Sequence, residues 1–258
     1  MRKNLIFSAI ALLAVVASLF ATQPQTKPAP GETQGGIPDF SGNWVGSPPS
    51  FDLKDPGGQK VGTPEDDTPY QPWALAKLLS ERPGFGRNST FENVTDPRIK
   101  YCDPIGVPRI YNVPNLFKFI QTKDYVYILH ETGSYWRQIA MNKEHPKDPG
   151  PSWWGDSVGK YEGDTLVVDT IGFNDKTWLD HLGRPHTEDL HLTERWRRVD
   201  PNTLQLDLVF DDPKAYTRPF PGRKIFHLAH REFIDYSCSY SENEQLQKNM
   251  INGITAPK

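Results

Sequence analysis

The chain has 258 residues, with Lys+Arg 29 against Asp+Glu 32 and a formal net charge of −3; hydrophobic residues make up 36% and charged residues 24%. This composition belongs to a globular protein rather than a disordered one. The near-neutral balance, with no run of Lys and Arg, excludes binding through phosphate neutralisation, so no nucleic-acid partner is expected. The 20 glycines and 24 prolines exclude a helical bundle, while 7 Trp, 10 Tyr and 13 Phe are enough for one large core.

Met1–Ala21 has the form of a secretory signal peptide. Arg2 and Lys3 supply the positive start, Leu5–Val16 the apolar run, and Ala17, Ser18 and Ala21 the small residues of a processing site. The apolar run is short for a bilayer span. The expectation is a secreted or periplasmic protein with no membrane span after cleavage. Residues 22–36 (TQPQTKPAPGETQGG) read as a disordered linker, and the folded domain is expected over 37–250.

A helix fits Gln71–Glu81: Pro72 suits a first turn, Trp73, Leu75, Leu78 and Leu79 supply apolar positions, and Pro83-Gly84 stops it. Loop punctuated by Pro and Gly continues to about Pro114. Strands follow at Phe117–Thr122, Tyr125–Glu131, Ser134–Met141, Ser157–Tyr161, Asp164–Ile171, Glu188–Val199 and Leu204–Phe210, with a last pair at Lys224–His230 and Phe233–Tyr240. Tight turns such as Glu162-Gly163 indicate an antiparallel meander. No alternation of strand and helix is present, so a doubly wound sheet is excluded. Nine or ten strands in one domain close into a barrel or stack as a sandwich. The fold class expected is mostly β: a single antiparallel β-barrel with one short N-terminal helix and long loops.

Two cysteines, Cys102 and Cys238, lie beyond the signal segment. In an oxidising compartment they are expected to form a disulfide, worth about 2–4 kcal/mol if unstrained; two buried thiols are the alternative. Neither has a CxxC partner, so a metal site using both is not expected.

Gly42-Asn-Trp44, in the first strand, resembles the Gly-x-Trp signature of lipocalin-like barrels, in which the Trp plugs the barrel floor. Longer motifs lie in the middle of the chain: Trp154-Gly-Asp-Ser-Val-Gly159, Glu162-Gly-Asp-Thr-Leu-Val-Val-Asp-Thr170, Gly172-Phe-Asn-Asp175, Trp178-Leu-Asp180 and Pro185-His-Thr-Glu188. With Cys102-Asp-Pro-Ile-Gly-Val-Pro-Arg109 and Arg137-Gln-Ile139, they resemble a family of exported bacterial proteins without an established reaction. The resemblance covers roughly residues 38–245. It implies an exported location and a lipocalin-like fold, and no activity.

Strand alternation locates candidate chemistry. Over 186–199 the even positions carry His186, Glu188, Leu190, Leu192, Glu194, Trp196 and Arg198, and they hold all the large apolar residues except Val199, which places Glu194 on the core face and His191 on the opposite face. A carboxylate facing a core needs a partner, and Arg137 on another strand is an available cation. Glu131 shares parity with Tyr125 and Tyr127, and Asp169 with Val167 and Ile171, so both are expected to point inward. Glu194, His186, Glu188 and Glu131 in one cavity would divide acid and base roles. Arg137, Trp154, Asp156, Asp169, Asn174 and Trp178 are the expected ligand contacts, since aromatic faces beside carboxylates and amides suit a hydroxylated or aromatic ligand.

No cofactor and no metal is expected, although His186, Glu188 and Glu194, joined by His145 or His181, form the alternative metal set. No Gly-x-Ser-x-Gly, P-loop, dinucleotide or His-Glu-x-x-His motif is present. The functional expectation is therefore an acid/base enzyme of the lyase, isomerase or hydrolase type acting on a small molecule. The alternative is a ligand-binding protein without turnover. A third is an envelope interaction module whose polar interior is only structural.

Overall fold

The structure is a computed structural model and describes residues 37–46, 53, 62–83 and 92–234. The signal segment, the linker, Cys238 and most of the expected strand Phe233–Tyr240 lie outside the described residues. Nine strands form one closed barrel: β1 (Asn43–Gly46), β2 (Phe117–Gln121), β3 (Tyr125–His130), β4 (Trp136–Met141), β5 (Asp156–Glu162), β6 (Thr165–Ile171), β7 (His191–Asp200), β8 (Thr203–Asp211) and β9 (Phe220–Ala229). The described helices are α1 (Pro72–Ser80), α2 (Pro97–Tyr101) and a 3-10 turn at Arg109–Asn112. No described helix is long and apolar enough to cross a membrane.

Two expectations about the sheet are corrected. The last strand does not pair with a following one: β9 pairs with β8 and returns to β1, through Trp44↔Leu228 and Gly46↔Phe226, which closes the barrel. Closure removes the unpaired edge that an open sheet would present. The sheet is also mixed rather than wholly antiparallel, because β4 and β5 run parallel. Parallel neighbours need a long return connection. Residues 142–155 provide it, carrying the chain from one end of the barrel back to the other.

One end of the barrel is the floor. Its turns are short: Lys123-Asp124 between β2 and β3, Gly163-Asp164 between β5 and β6, and Pro201-Asn202 between β7 and β8. Trp44 sits there, fully buried, its indole N–H donating to the Phe40 carbonyl at 3.0 Å. The Arg198 guanidinium lies 4.9 Å from its ring centroid and donates to the carbonyls of Asp39 and Ser41. Gly42 takes φ +121°, and a Cβ there would strike the Leu228 side chain, which is why the residue two before Trp44 is glycine. Above Trp44, Phe117, Phe119, Trp196 and Phe226 fill the lumen, with Trp196 and Phe226 stacked at 5.8 Å.

The other end is capped. α1 replaces the expected Gln71–Glu81 with nearly the same bounds, burying Ala74 and Leu78. α2 was not anticipated, although it carries a readable start. Asp96 accepts from the Arg98 N–H, Pro97 occupies the first turn, and Cys102 ends it at φ 56°. Buried ion pairs tie the cap together: Arg109 grips Asp96 with two guanidinium nitrogens, and Arg184 pairs with Asp180. The polar layer of the barrel lies between the cap and the apolar lumen.

Candidate functional site

At the centre of the polar layer is Arg137 on β4. Its five N–H donors are all used within the barrel. Nε donates to Ser157 on β5 at 3.2 Å, Nη1 to Tyr111 and to Glu194 Oε1 at 2.9 Å, and Nη2 to Ser157, to Thr170 on β6 at 2.8 Å, and to Glu194 Oε2 at 2.5 Å. Arg137 and Glu194 are 2% and 0% exposed. The inward orientation of Glu194 and its pairing with Arg137 agree with the alternation of β7. Burial opposes the charge on Arg137, yet the Glu194 carboxylate more than compensates and holds the guanidinium protonated. Burial pushes the Tyr111 hydroxyl well above its usual range, so it stays a neutral phenol. No donor of Arg137 remains for a ligand. The pair fastens β4, β5, β6, β7 and the 3-10 turn to one another.

The groups expected to join Glu194 do not. Glu131 follows β3 and is buried at the barrel end, where it accepts from Arg231, from the Leu116 N–H at 2.9 Å and from the Ile234 N–H at 2.9 Å. Burial would raise its pKa, but these bonds outweigh burial and bring it down to about 2. The inward face of β3 is the other parity, Val126, Ile128 and His130. Both parities of β3 are rich in rings or aliphatic groups, so alternation alone did not decide. His186 lies in a loop before β7, 4% exposed, where Nδ1 donates to the Thr187 carbonyl and Nε2 accepts from Thr177 at 3.0 Å. Burial lowers its pKa. Glu188 is exposed in the turn that precedes β7, because the strand begins at His191 rather than at 188. His186, Glu188 and Glu194 therefore do not converge. Among the described residues no group of three or more His, Cys, Asp or Glu is placed to hold a metal ion.

Asp169 is corrected as well. The inward face of β6 is Leu166, Val168 and Thr170, so Asp169 points outward. There it bonds His145 Nε2 at 2.8 Å through one oxygen and His191 Nε2 at 2.6 Å through the other. His145 Nδ1 bonds Asp156 at 2.6 Å. A histidine whose two nitrogens both face carboxylates is held as an imidazolium. Burial works against it, but the hydrogen bonds to Asp156 and Asp169 raise its pKa above the usual histidine range. Burial raises the Asp169 pKa, and the two histidines reverse that and lower it overall. His191 is on the outer face, as expected, with its side chain 46% exposed.

Asn174 and Trp178 are buried away from these groups. Asn174 accepts from the Lys176 N–H at 3.1 Å, and Trp178 lies under the Arg109 guanidinium at 5.2 Å. Neither lines the cleft between β4 and β5.

An open cleft occurs where β4 and β5 separate. These strands pair only at Ala140↔Val158 and Met141↔Gly159, so their first halves splay apart. The cleft has a volume of ≈ 540 Å³ and is lined by residues 134–138, Ala140 and 154–157. Tyr135, Trp136 and Trp154 give it aromatic walls; Ser134, Gln138 and Asp156 give it hydrogen-bonding groups; Arg137 and Ser157 close its inner side. Gly155 takes φ +64°, and a Cβ there would sit 2.6 Å from Thr170 Cγ2 and 2.7 Å from the Ile171 carbonyl, so glycine lets the wall approach β6. Trp154 packs on Tyr135 at 5.4 Å and stacks on His130 at 6.0 Å. His130 is 4% exposed and its Nε2 has no hydrogen-bond partner among the described residues. Burial, reinforced by the Arg137 charge, lowers its pKa to about 3, so it is neutral.

Of the expected ligand contacts, Arg137, Trp154 and Asp156 line this cleft, whereas Asp169, Asn174 and Trp178 do not. Tyr135, Trp136, Ser134 and Gln138 were missed. The signal that would have found them is the parallel pairing, since only a long return connection leaves two strand starts unjoined. No known family model matches this chain, and no curated protein matches it.

Proposed function

We propose that the chain is an exported, lipocalin-like protein that binds a small hydroxylated or aromatic molecule in the cleft between β4 and β5. The observation that carries this reading is the cleft itself: three aromatic side chains and several uncharged or acidic hydrogen-bonding groups around ≈ 540 Å³ of open space. That combination of apolar walls and a few convergent polar groups suits a ring bearing hydroxyls. Asp156 accepts from a ligand hydroxyl, Ser134 and Gln138 donate or accept, and Tyr135, Trp136 and Trp154 offer faces for stacking. The run Trp154-Gly-Asp-Ser157, which carries part of the resemblance to exported bacterial proteins, supplies one wall. The signal-like Met1–Ala21 and the Gly42-Asn-Trp44 start support export and the lipocalin-like outline.

Glu194 is bound to Arg137, Glu131 to Arg231, and His186 and Glu188 lie in the connection before β7, so these four groups give an acid/base enzyme no support. One observation favours turnover as a second reading: Asp156 borders the cleft and is bonded to His145, so a proton-carrying pair stands at its rim.

Isothermal titration with phenyl β-glucoside, which combines an aromatic ring with a hydroxylated one, tests the binding reading. Saturable binding is expected, with loss of at least about tenfold in affinity in Trp154→Ala, equivalent to about 1.4 kcal/mol. Affinity unchanged in a folded Trp154→Ala variant would remove the cleft as the site. Release of phenol during the titration would instead establish the enzymatic reading.

A further inference from the structure

Outside the cleft, the same wall carries a row of rings. In β3 the residues of outward parity include Tyr125 and Tyr127, whose ring centroids are 5.9 Å apart. Tyr127 is followed at 6.2 Å by Trp136 of β4. Trp136 is 58% exposed, far more than packing against the barrel would leave, and it also lines the cleft. The strip and the cleft are therefore one continuous surface. The cross-strand partner of Tyr127 on β4 is Gln138, exposed and likewise a cleft residue, while that of Tyr125 is the small Ala140, which leaves the tyrosine ring uncovered on that side.

We infer that the outer face of β3 and β4 is a glycan-binding strip, on which an oligosaccharide of pyranose units lies across Tyr125, Tyr127 and Trp136 with its end in the cleft. The inference rests on the proposed cleft and names the ligand class that the cleft takes. Pyranose rings have C–H faces that pack against the electron-rich face of an aromatic ring, and edges of hydroxyls that need hydrogen-bond partners. Spacings of 5.9 and 6.2 Å are on the scale of one sugar ring per aromatic ring. Gln138, Ser134 and Asp156 supply the edge contacts where the strip meets the cleft. A phosphorylated ligand would call for cations among these groups, and the lining provides none with free donors. A protein partner is the competing occupant, favoured by Ile120, which is 44% exposed opposite Tyr127. Chain-length dependence separates the two, because only a linked ligand gains from several subsites in a row.

The test is calorimetric titration of the wild type, Tyr125→Ala/Tyr127→Ala and Trp154→Ala with soluble β-linked hexasaccharides of glucose, xylose and N-acetylglucosamine, beside phenyl β-glucoside. The wild type is expected to bind at least one hexasaccharide about tenfold or more tighter than phenyl β-glucoside. The double tyrosine variant should lose that advantage and keep its affinity for phenyl β-glucoside, with Tyr127→Phe retaining both. Hexasaccharide affinity unchanged in the folded double variant overturns the strip. Phenyl β-glucoside binding with no hexasaccharide binding overturns the strip and leaves the cleft standing. Binding of neither overturns both. Self-association of the wild type that the tyrosine substitutions abolish would reassign the surface to a protein contact.

Discussion

Replacing Glu194 by Gln would leave the Arg137 guanidinium buried with its charge uncompensated, though its hydrogen bonds could partly persist. The expected loss is about 3–5 kcal/mol of stability, read from denaturant unfolding. The double variant Arg137→Met/Glu194→Leu should recover much of it, because an apolar pair avoids the desolvation of both charges. If Glu194→Gln were as stable as the wild type, the pair would not be what fastens these strands. His130 is a second residue whose burial has a readable consequence. Its folded pKa lies at about 3, below its unfolded value near 6.5, so the unfolded chain takes up the proton first as pH falls. Its contribution is intact above the unfolded value and is lost as pH falls from there toward 3. His130→Phe keeps an aromatic ring against Trp154 and removes that titration. Thermal melts at about pH 5 should show the variant holding its stability better than the wild type, relative to neutral pH. Equal acid sensitivity in the two proteins would mean that His130 is not held neutral.

At the level of elements, the return connection 142–155 decides the shape of the cleft, and His145 pins it to β5 and β6 through Asp156 and Asp169. A raised folded pKa gives a contribution that is complete below the unfolded value of 6.5 and fades as pH rises through the folded one. Melts from about pH 6 to about pH 9 should therefore show an alkaline loss of stability that His145→Gln lacks. A parallel pH dependence in both proteins would contradict the clamp. The hairpins are readable in the sequence because Glu162-Gly163 and Lys123-Asp124 punctuate them, and β7 because Leu192 and Trp196 flank Glu194 on one parity while its other parity is almost wholly polar. The strands β3 and β6 are readable, but their inward faces are not, because Tyr125 and Tyr127, or Val167 and Ile171, give the outward face an apolar look. The resolving information is the register, Asp169↔Thr193 and Val168↔Glu194 on β7, which is a property of two strands and not of one. The cleft depends on β4 and β5 being parallel, and no local motif marks that pairing.

For the molecule as a whole, closure brings residues nearly two hundred positions apart together at Asn43↔Ala229, with Trp44 filling the floor beneath the lumen. Trp44→Ala is expected to cost about 3–5 kcal/mol and to lower the melting temperature by roughly 10 °C, measured by calorimetry. A smaller effect would show that the floor repacks around the lost ring. Among the described residues the barrel has an apolar lumen, a polar layer built around the Arg137–Glu194 pair and a cap, and the open cleft lies in the wall between β4 and β5. NMR chemical-shift mapping during titration with phenyl β-glucoside tests that placement most directly. The largest amide shifts are expected in 134–138 and 154–157, with the capping segments around Asp96, Asp180 and His186 unmoved. Shifts concentrated in those capping segments, with the wall between β4 and β5 silent, would contradict that placement.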